Sequence, residues 1–217
     1  MSGNGADREA LAAFLLRVRA AGIDDGALFA AIEAMPRRSF VPDQWQDAVW
    51  LSRMLPIPCG EAIEGIDLQA RVIAGLRLQP GHRVLEVGTG SGYTAAVMAR
   101  LAGRVLSLDR YRTLIAEAEQ RLSALGISNV ILRQADGSAG AAADGPFDRI
   151  VVWAAFEGPP RNFVDQLASG GVMIAPIGPA EEVQTLARLT KLGSRFERED
   201  IGRVRLQPLA SGVAAAL

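Results

Sequence analysis

The chain has 217 residues, with 23 Lys plus Arg against 24 Asp plus Glu and a formal net charge of -1. That length suits one domain with a core of its own, and the balanced charge supplies no global field to recruit nucleic acid or an acidic membrane. One cysteine, Cys59, and one histidine, His82, exclude an internal disulfide and leave little for a metal site, no apolar run reaches membrane-spanning length, and a reducing cytoplasm is the expected setting.

The first part of the chain reads as α-rich. Asp7 to Ala21 sets Leu11, Phe14, Leu15 and Val18 at helical spacing, and Asp24 to Met35 repeats the pattern with Leu28, Ile32 and Met35. Asp24 is the expected N-cap of the second helix and Pro36 its stop. Val41-Pro42-Asp43 opens a short third helix carrying Trp45, Val49 and Trp50. Pro56, Pro58 and Gly60 make Arg53 to Gly65 an extended loop, and a further helix runs from Asp67 to Leu78, closed by Pro80-Gly81. Arg37-Arg38 reads as a solvated turn, and Trp45 and Trp50 as packing residues.

Strands and helices then alternate. Arg83 to Tyr93 reads R-V-L-E-V-G-T-G-S-G-Y: an apolar strand, a glycine turn, then a helix over Tyr93 to Ala99. Strand Arg104 to Asp109, helix Tyr111 to Leu125, strand Asn129 to Arg133, strand Phe147 to Trp153, helix Pro160 to Leu167 and strand Gly171 to Ile177 follow, with Ser169-Gly170-Gly171 as a helix cap. Val183 to Leu192 and Arg203 to Leu209 complete a C-terminal antiparallel hairpin. The expected fold is α/β: a Rossmann-like, doubly wound, mostly parallel sheet with helices on both faces and an α-helical N-terminal extension. One domain spans 1–217, with 1–78 as the helical extension and loop, 79–209 as the sheet, and 210–217 as a tail expected, like the first residues, to lack order.

The glycine turn is the chemical signal. Glycines there allow unusual backbone dihedrals and close approach of a ligand, and the following helix offers free amides. The spacing is Gly-x-Gly-x-Gly, and Tyr93 stands where the dinucleotide fingerprint needs a third glycine. Asp109, at the end of the next strand, suits a pair of ribose hydroxyls, and Asp136 in Gln134-Ala135-Asp136-Gly137 is a third acid at a strand end; as alternatives, both acids suit turn or N-cap positions. With Glu86 two residues before Gly88, the pattern E-x-G-x-G-x-G resembles motif I of the S-adenosylmethionine-dependent methyltransferases. That resemblance implies a cofactor site of Glu86, Gly88, Thr89, Gly90, Asp109, Asp136 and Gly137, with Asp136 toward the adenine amino group.

A closer resemblance spans most of the chain. Met35-Pro36-Arg37-Arg38-Ser39-Phe40-Val41-Pro42, Leu55-Pro56-Ile57, the glycine turn, Pro146-Phe147-Asp148-Arg149-Ile150 and Val204-Arg205-Leu206-Gln207-Pro208-Leu209 are together similar to the protein-L-isoaspartate O-methyltransferases. The resemblance implies methyl esterification of isoaspartyl carboxyls in damaged proteins. It breaks in the loop after Ile57: where the family usually reads G-x-G-Q-T-I-S-Q-P, this chain has Glu61, Ala62 and Glu64 for Gln, Thr and Ser. The A-A-A-P stretch becomes Trp153-Ala154-Ala155-Phe156-Glu157-Gly158.

A carboxylate is already ionised at neutral pH and needs no general base, but a second carboxylate in its pocket opposes it. Glu64 is therefore the candidate catalytic residue of the altered loop. Facing inward it would disfavour isoaspartate and take a proton from a neutral or cationic acceptor; facing outward it would be solvated or paired with Arg53. Three functions stay open: methylation of isoaspartyl proteins or peptides, methylation of another acceptor, and a non-catalytic S-adenosylmethionine-binding sensor. An NAD oxidoreductase is the weakest rival. Cys59 reads as a buried inert thiol, His82 as a surface residue, and Tyr93 either as packing or as a cofactor neighbour.

Overall fold

The computed structural model describes residues 3–214. Helix α1 (Gly3–Ala20) buries Phe14 and Val18 and partly buries Leu11 and Leu15, as their spacing requires, and begins four residues before Asp7. Helix α2 (Gly26–Ala34) is capped by Asp25, not Asp24: the Asp25 carboxylate accepts from the Leu28 amide at 2.9 Å. The third expected helix is a 3₁₀ turn, Asp43–Ala48. The following loop closes on itself through β1 (Leu55–Pro56) and β2 (Ala62–Ile63), a short antiparallel pair, before α3 (Ile66–Leu76).

The main sheet is built from β3 (Arg83–Val87), β4 (Arg104–Asp109), β5 (Val130–Gln134), β6 (Phe147–Val152), β7 (Leu167–Ile177), β8 (Gln184–Leu192) and β9 (Arg195–Val204), in the order β5-β4-β3-β6-β7-β8-β9. The first five strands in that order are parallel, and β8 and β9 are antiparallel. Alternate residues split between two cores. Val84, Val105, Val151 and Val172 join the five helices, including α4 (Tyr93–Ala99) and α5 (Arg112–Ala124), while Leu85, Leu106, Ile150 and Met173 face the other side.

That second face is covered by 3₁₀ turns at Gly137–Ala139, Ala142–Asp144 and Arg161–Gln166, not by α-helices. The expected helix Pro160 to Leu167 is the last of these. Six residues between Pro160 and a strand are too few to repay α-helix nucleation. Gly170, at φ +71, lies within β7 where its register with β6 shifts, so Ser169-Gly170-Gly171 is an irregularity of the strand and not a helix cap.

The hairpin is correct in kind and displaced in place. Its second strand is Arg195–Val204, the stretch expected as a polar connection, and Arg203 to Leu209 only overlaps its end. As the edge strand, β9 is exposed along most of its length and carries Glu197, Arg198, Glu199 and Asp200, so no buried face imposes alternation on it. Beyond Val204 the chain turns across the carboxyl ends of the strands. There Ala155 and Leu209 exchange backbone hydrogen bonds with Gln207 and Ala155, at 2.8 and 2.9 Å.

Candidate active site

The strand order reverses at β3, whose neighbours are β4 and β6. A crevice therefore opens beyond their carboxyl ends, where a doubly wound sheet binds its ligand. A cavity of about 460 Å³ lies there. Its floor is Val87, Gly88, Gly90 and Trp153; Leu108, Asp109, Arg110 and Tyr111 form one side, Ile57, Glu61 and Glu64 another, and Arg205 to Ala210 its cover. Gly88 sits at φ +95, and a Cβ there would come within 3.2 Å of the Trp153 Cβ, so both the turn and the strand beside it require glycine.

The candidate residues fall into two groups. Gly88, Gly90, Asp109 and Gly137 line the cavity. Asp109 is buried at the end of β4; its oxygens accept from the Gly90 amide at 2.9 Å and the Tyr111 amide at 3.0 Å, which fixes the glycine turn to the next strand. Burial raises its pKa, against the lowering by those amides. Each carboxylate oxygen keeps lone pairs for hydroxyl groups.

Glu86, Thr89 and Asp136 stand behind that wall. Glu86 is 0% exposed and accepts from Thr94 Oγ1 at 2.5 Å, Ser107 Oγ at 2.7 Å and Trp153 Nε1 at 2.9 Å. It joins three elements beneath the cavity and does not line it. Burial pushes it up to about 7 even though all three donors lower it. Thr89 Oγ1 bonds Ser107 Oγ at 2.6 Å in the same cluster. Asp136 caps the Gly137–Ala139 turn through the Ser138 amide at 2.8 Å and takes the Gly212 amide at 2.7 Å. Both its oxygens are engaged, and the Ser138 side chain, followed by those two amides, holds it below the usual carboxylate range.

Gly212 belongs to the tail expected to lack order. Residues 210–214 instead lie along the site, with the Ala214 amide on the Arg110 carbonyl at 3.1 Å; residues 215–217 and the first two fall outside the described residues.

Glu64 faces inward. It lines both the large cavity and a pouch of about 40 Å³ behind the glycine turn, and its carboxyl group has no hydrogen bond or ion pair among the described residues. Burial alone pushes it up to about 7. Arg53, its expected partner, lies over the Trp45 ring at 5.7 Å.

The residue that holds this loop escaped the sequence reading. Arg37 is 1% exposed, not solvated. It donates to the Val49 carbonyl at 2.8 Å, the Glu64 carbonyl at 2.9 Å and the Gln69 side chain, and lies 4.4 Å from the centroid of the Tyr93 ring. Burial lowers its pKa and raises that of Tyr93 to about 12. Tyr93 is thus a packing residue. Trp50 is buried with its Nε1 on Asp7 at 2.7 Å, Trp45 packs partly buried, and His82 accepts the Gln79 amide in a surface turn. Cys59 is half-buried at φ +67, so the expectation of a buried thiol is only partly met.

With this geometry in hand, comparison with known proteins places the chain. The family model described as Protein-L-isoaspartate(D-aspartate) O-methyltransferase (PCMT) matches residues 9–214. The chain belongs to that family. Among its relatives, a Protein-L-isoaspartate O-methyltransferase of Rhizobium meliloti (strain 1021) is 48% identical over 202 residues, 93% of this chain and 99% of that one. One from Azorhizobium caulinodans is 44% identical over the full length of both. A Plasmodium falciparum protein solved with S-adenosyl-L-homocysteine superposes with TM-score 0.77 at 24% identity over 91% of this chain and 97% of that one, a likeness of fold. A structure titled Protein-L-isoaspartate O-methyltransferase gives TM-score 0.80 at 25% identity over 93% of this chain and 66% of that one. Among the described residues no helix is long and apolar enough to cross a membrane, and no group of His, Cys, Asp or Glu could hold a metal ion.

Proposed function

We propose that this chain is a cytoplasmic S-adenosylmethionine-dependent methyltransferase that esterifies the free carboxyl group of isoaspartyl residues in damaged proteins and peptides. The observation that carries the reading is the near full-length family match, which includes both the glycine turn and the Leu55–Glu64 and Val204–Leu209 segments that enclose the cavity. We read the chain as one methyltransferase domain, with its helical N-terminal part and its substrate loop packed on the sheet.

The cavity fits the cofactor by the chemistry of its walls. Its size lies in the range for cofactor sites, roughly 300–1,000 Å³; Asp109 offers carboxylate lone pairs to a ribose, Gly88, Gly90 and Gly137 let a ligand approach the backbone, and Leu108 and Leu114 give an apolar wall for a base. Glu86, Thr89 and Asp136 fix the shape of that wall from behind.

When bound, the cofactor supplies an electrophilic methyl group on a sulfonium. Transfer to an acceptor carboxylate would form one oxygen–carbon bond and break one carbon–sulfur bond, the electron pair going to sulfur. No proton leaves the acceptor. The protein's work is alignment and exclusion of water. The Arg205–Ala210 cover and the Arg37-anchored loop enclose the cavity from two sides, and Met54 and Ala180 are also in its lining.

The test is radiolabelled methyl transfer from S-adenosylmethionine to an isoaspartyl peptide beside its normal aspartyl twin. Selective labelling of the isoaspartyl peptide is expected. Equal labelling of both, or none with cofactor bound, overturns the reading.

A further inference from the structure

Glu64 lines the cavity from the altered loop, and the proposed function leaves its chemistry unused. Its main chain is fixed at two points. The Glu64 carbonyl takes the Arg37 Nη2 hydrogen bond at 2.9 Å, and the next residue, Gly65, packs so closely that a Cβ there would lie 2.7 Å from the backbone of Ser52 and Arg53. The side chain is held on the cavity wall. Its oxygens have no protein partner, yet they are not among the sealed, unpartnered atoms of the interior, which are Ser91 Oγ, Tyr93 OH and Arg110 Nε. The carboxyl group therefore opens on the space a ligand would fill.

Charged and titratable groups reach this cavity from every side. Glu61 comes from Glu64's own loop, Asp109, Arg110 and Tyr111 from the end of β4 and the start of α5, and Arg205 from the segment after β9. None is bonded to the Glu64 carboxyl. With no counter-ion bonded to it, the carboxyl group is pushed toward its neutral form by its burial. A second carboxylate brought against it strengthens the preference, because two like charges repel whereas a single shared proton makes a short, charge-assisted hydrogen bond.

We propose that Glu64 acts as a carboxylic acid that donates its O–H to one oxygen of the acceptor carboxylate, leaving the other oxygen free to attack the methyl carbon. This rests on the isoaspartyl reading above and reverses the sequence-based expectation that an inward Glu64 disfavours such an acceptor. The proton stays on Glu64 throughout. Electrons balance as before, with one oxygen–carbon bond formed and one carbon–sulfur bond broken. The methyl ester product carries no charge and holds the acid less strongly, so the same contact favours release.

The experiment measures kcat/KM for an isoaspartyl peptide from pH 5.5 to 9 for the unaltered chain, Glu64→Gln and Glu64→Ala, with calorimetric binding of S-adenosylhomocysteine at both ends of the range. The unaltered chain is expected to lose about tenfold per pH unit above 7, because acceptor binding must then take up a proton. Glu64→Gln keeps a donor that cannot ionise: it falls a few-fold at pH 6 and loses the alkaline decline, so the curves cross and the variant leads at pH 9. Glu64→Ala lies below Glu64→Gln at pH 6, through KM, and is likewise free of the alkaline decline. Product binding is expected to stay within about twofold across variants and pH. An alkaline decline that survives in Glu64→Gln overturns the role of Glu64 alone, while product affinity that follows the variants assigns Glu64 to the cofactor and also overturns it. Absence of isoaspartyl transfer by the unaltered chain at every pH overturns the acceptor reading, and this inference with it.

Discussion

Replacing Glu86 by Gln tests whether the buried strut beneath the glycine turn is an acid or an anion. Three donors converge on it, Thr94, Ser107 and Trp153, and three hydrogen bonds alone would favour the ionised form. Complete burial opposes them and prevails, raising the group from 4.5 to about 7. The sign follows from the direction. A group whose folded-state pKa is raised contributes stability that is full below its ordinary value and lost as pH rises through the folded one. Between pH 5 and pH 8, a folded value near 7 against an ordinary 4.5 corresponds to a loss of about 2–3 kcal/mol. Glu86→Gln has no such titration. It exchanges one acceptor oxygen for an amide donor, a pH-independent cost of about 1–3 kcal/mol, partly recovered if the Ser107 hydroxyl, which shares a proton with Thr89, reverses its direction. Urea unfolding of both proteins at half-unit steps over that range is the assay. The variant is expected to be the less stable at pH 5 and to close or reverse the gap by pH 8. Parallel stability curves would refute the reasoning and mean that the three donors hold Glu86 ionised throughout.

Three further outcomes follow from particular contacts. Arg37→Met keeps an unbranched chain in the core but strands the Val49 and Glu64 carbonyls and the Gln69 amide oxygen; at about 1–3 kcal/mol for each unsatisfied group, less the relief of a buried charge, a net loss of about 2–4 kcal/mol is expected in urea unfolding, with a raised KM for the acceptor in the folded fraction. Gly137→Ala sets a Cβ 2.3 Å from Val87 Cγ1, the side chain of a stiff β-branched residue that itself lines the cavity; calorimetry is expected to show at least tenfold weaker S-adenosylhomocysteine binding, and unchanged affinity would mean that the turn relaxes away from the site. Truncation after Leu209 removes the Gly212 and Ala214 amides from Asp136 and Arg110; a several-fold loss of the same affinity is expected with little change in global stability, and an equal affinity would show that the tail merely lies over the site.

What the sequence made legible is what short-range periodicity encodes. The strand, glycine turn and helix of residues 83–99 and the strand ending at Asp109 are each dictated by their own few residues, so their places and the cavity-lining roles of Gly88, Gly90 and Asp109 could be read without a fold. β9 could not, because an edge strand that sends only Phe196, Ile201 and Val204 toward the cores shows no alternation. Glu86 was legible as a position and not as an environment: its three donors come from residues 94, 107 and 153, and only the closed sheet brings them together.

Arg37 shows the same limit most sharply. Beside Arg38 it has the composition of a solvated turn, and Arg38 behaves as one, partly exposed between Asp7 and Asp47. Arg37 turns inward because the backbone carbonyls of Val49 and Glu64 and the side-chain oxygen of Gln69, from three other segments, are oxygens that a planar five-donor guanidinium can satisfy at once. No local pattern separates the two arginines. Yet the inward one fixes the backbone of Glu64, the residue where the chain departs from its family's usual loop. Anchor and side chain thus form one unit: the Arg37 guanidinium holds the Glu64 main chain on this wall, and none of the charged groups that line the cavity with it is bonded to its carboxyl.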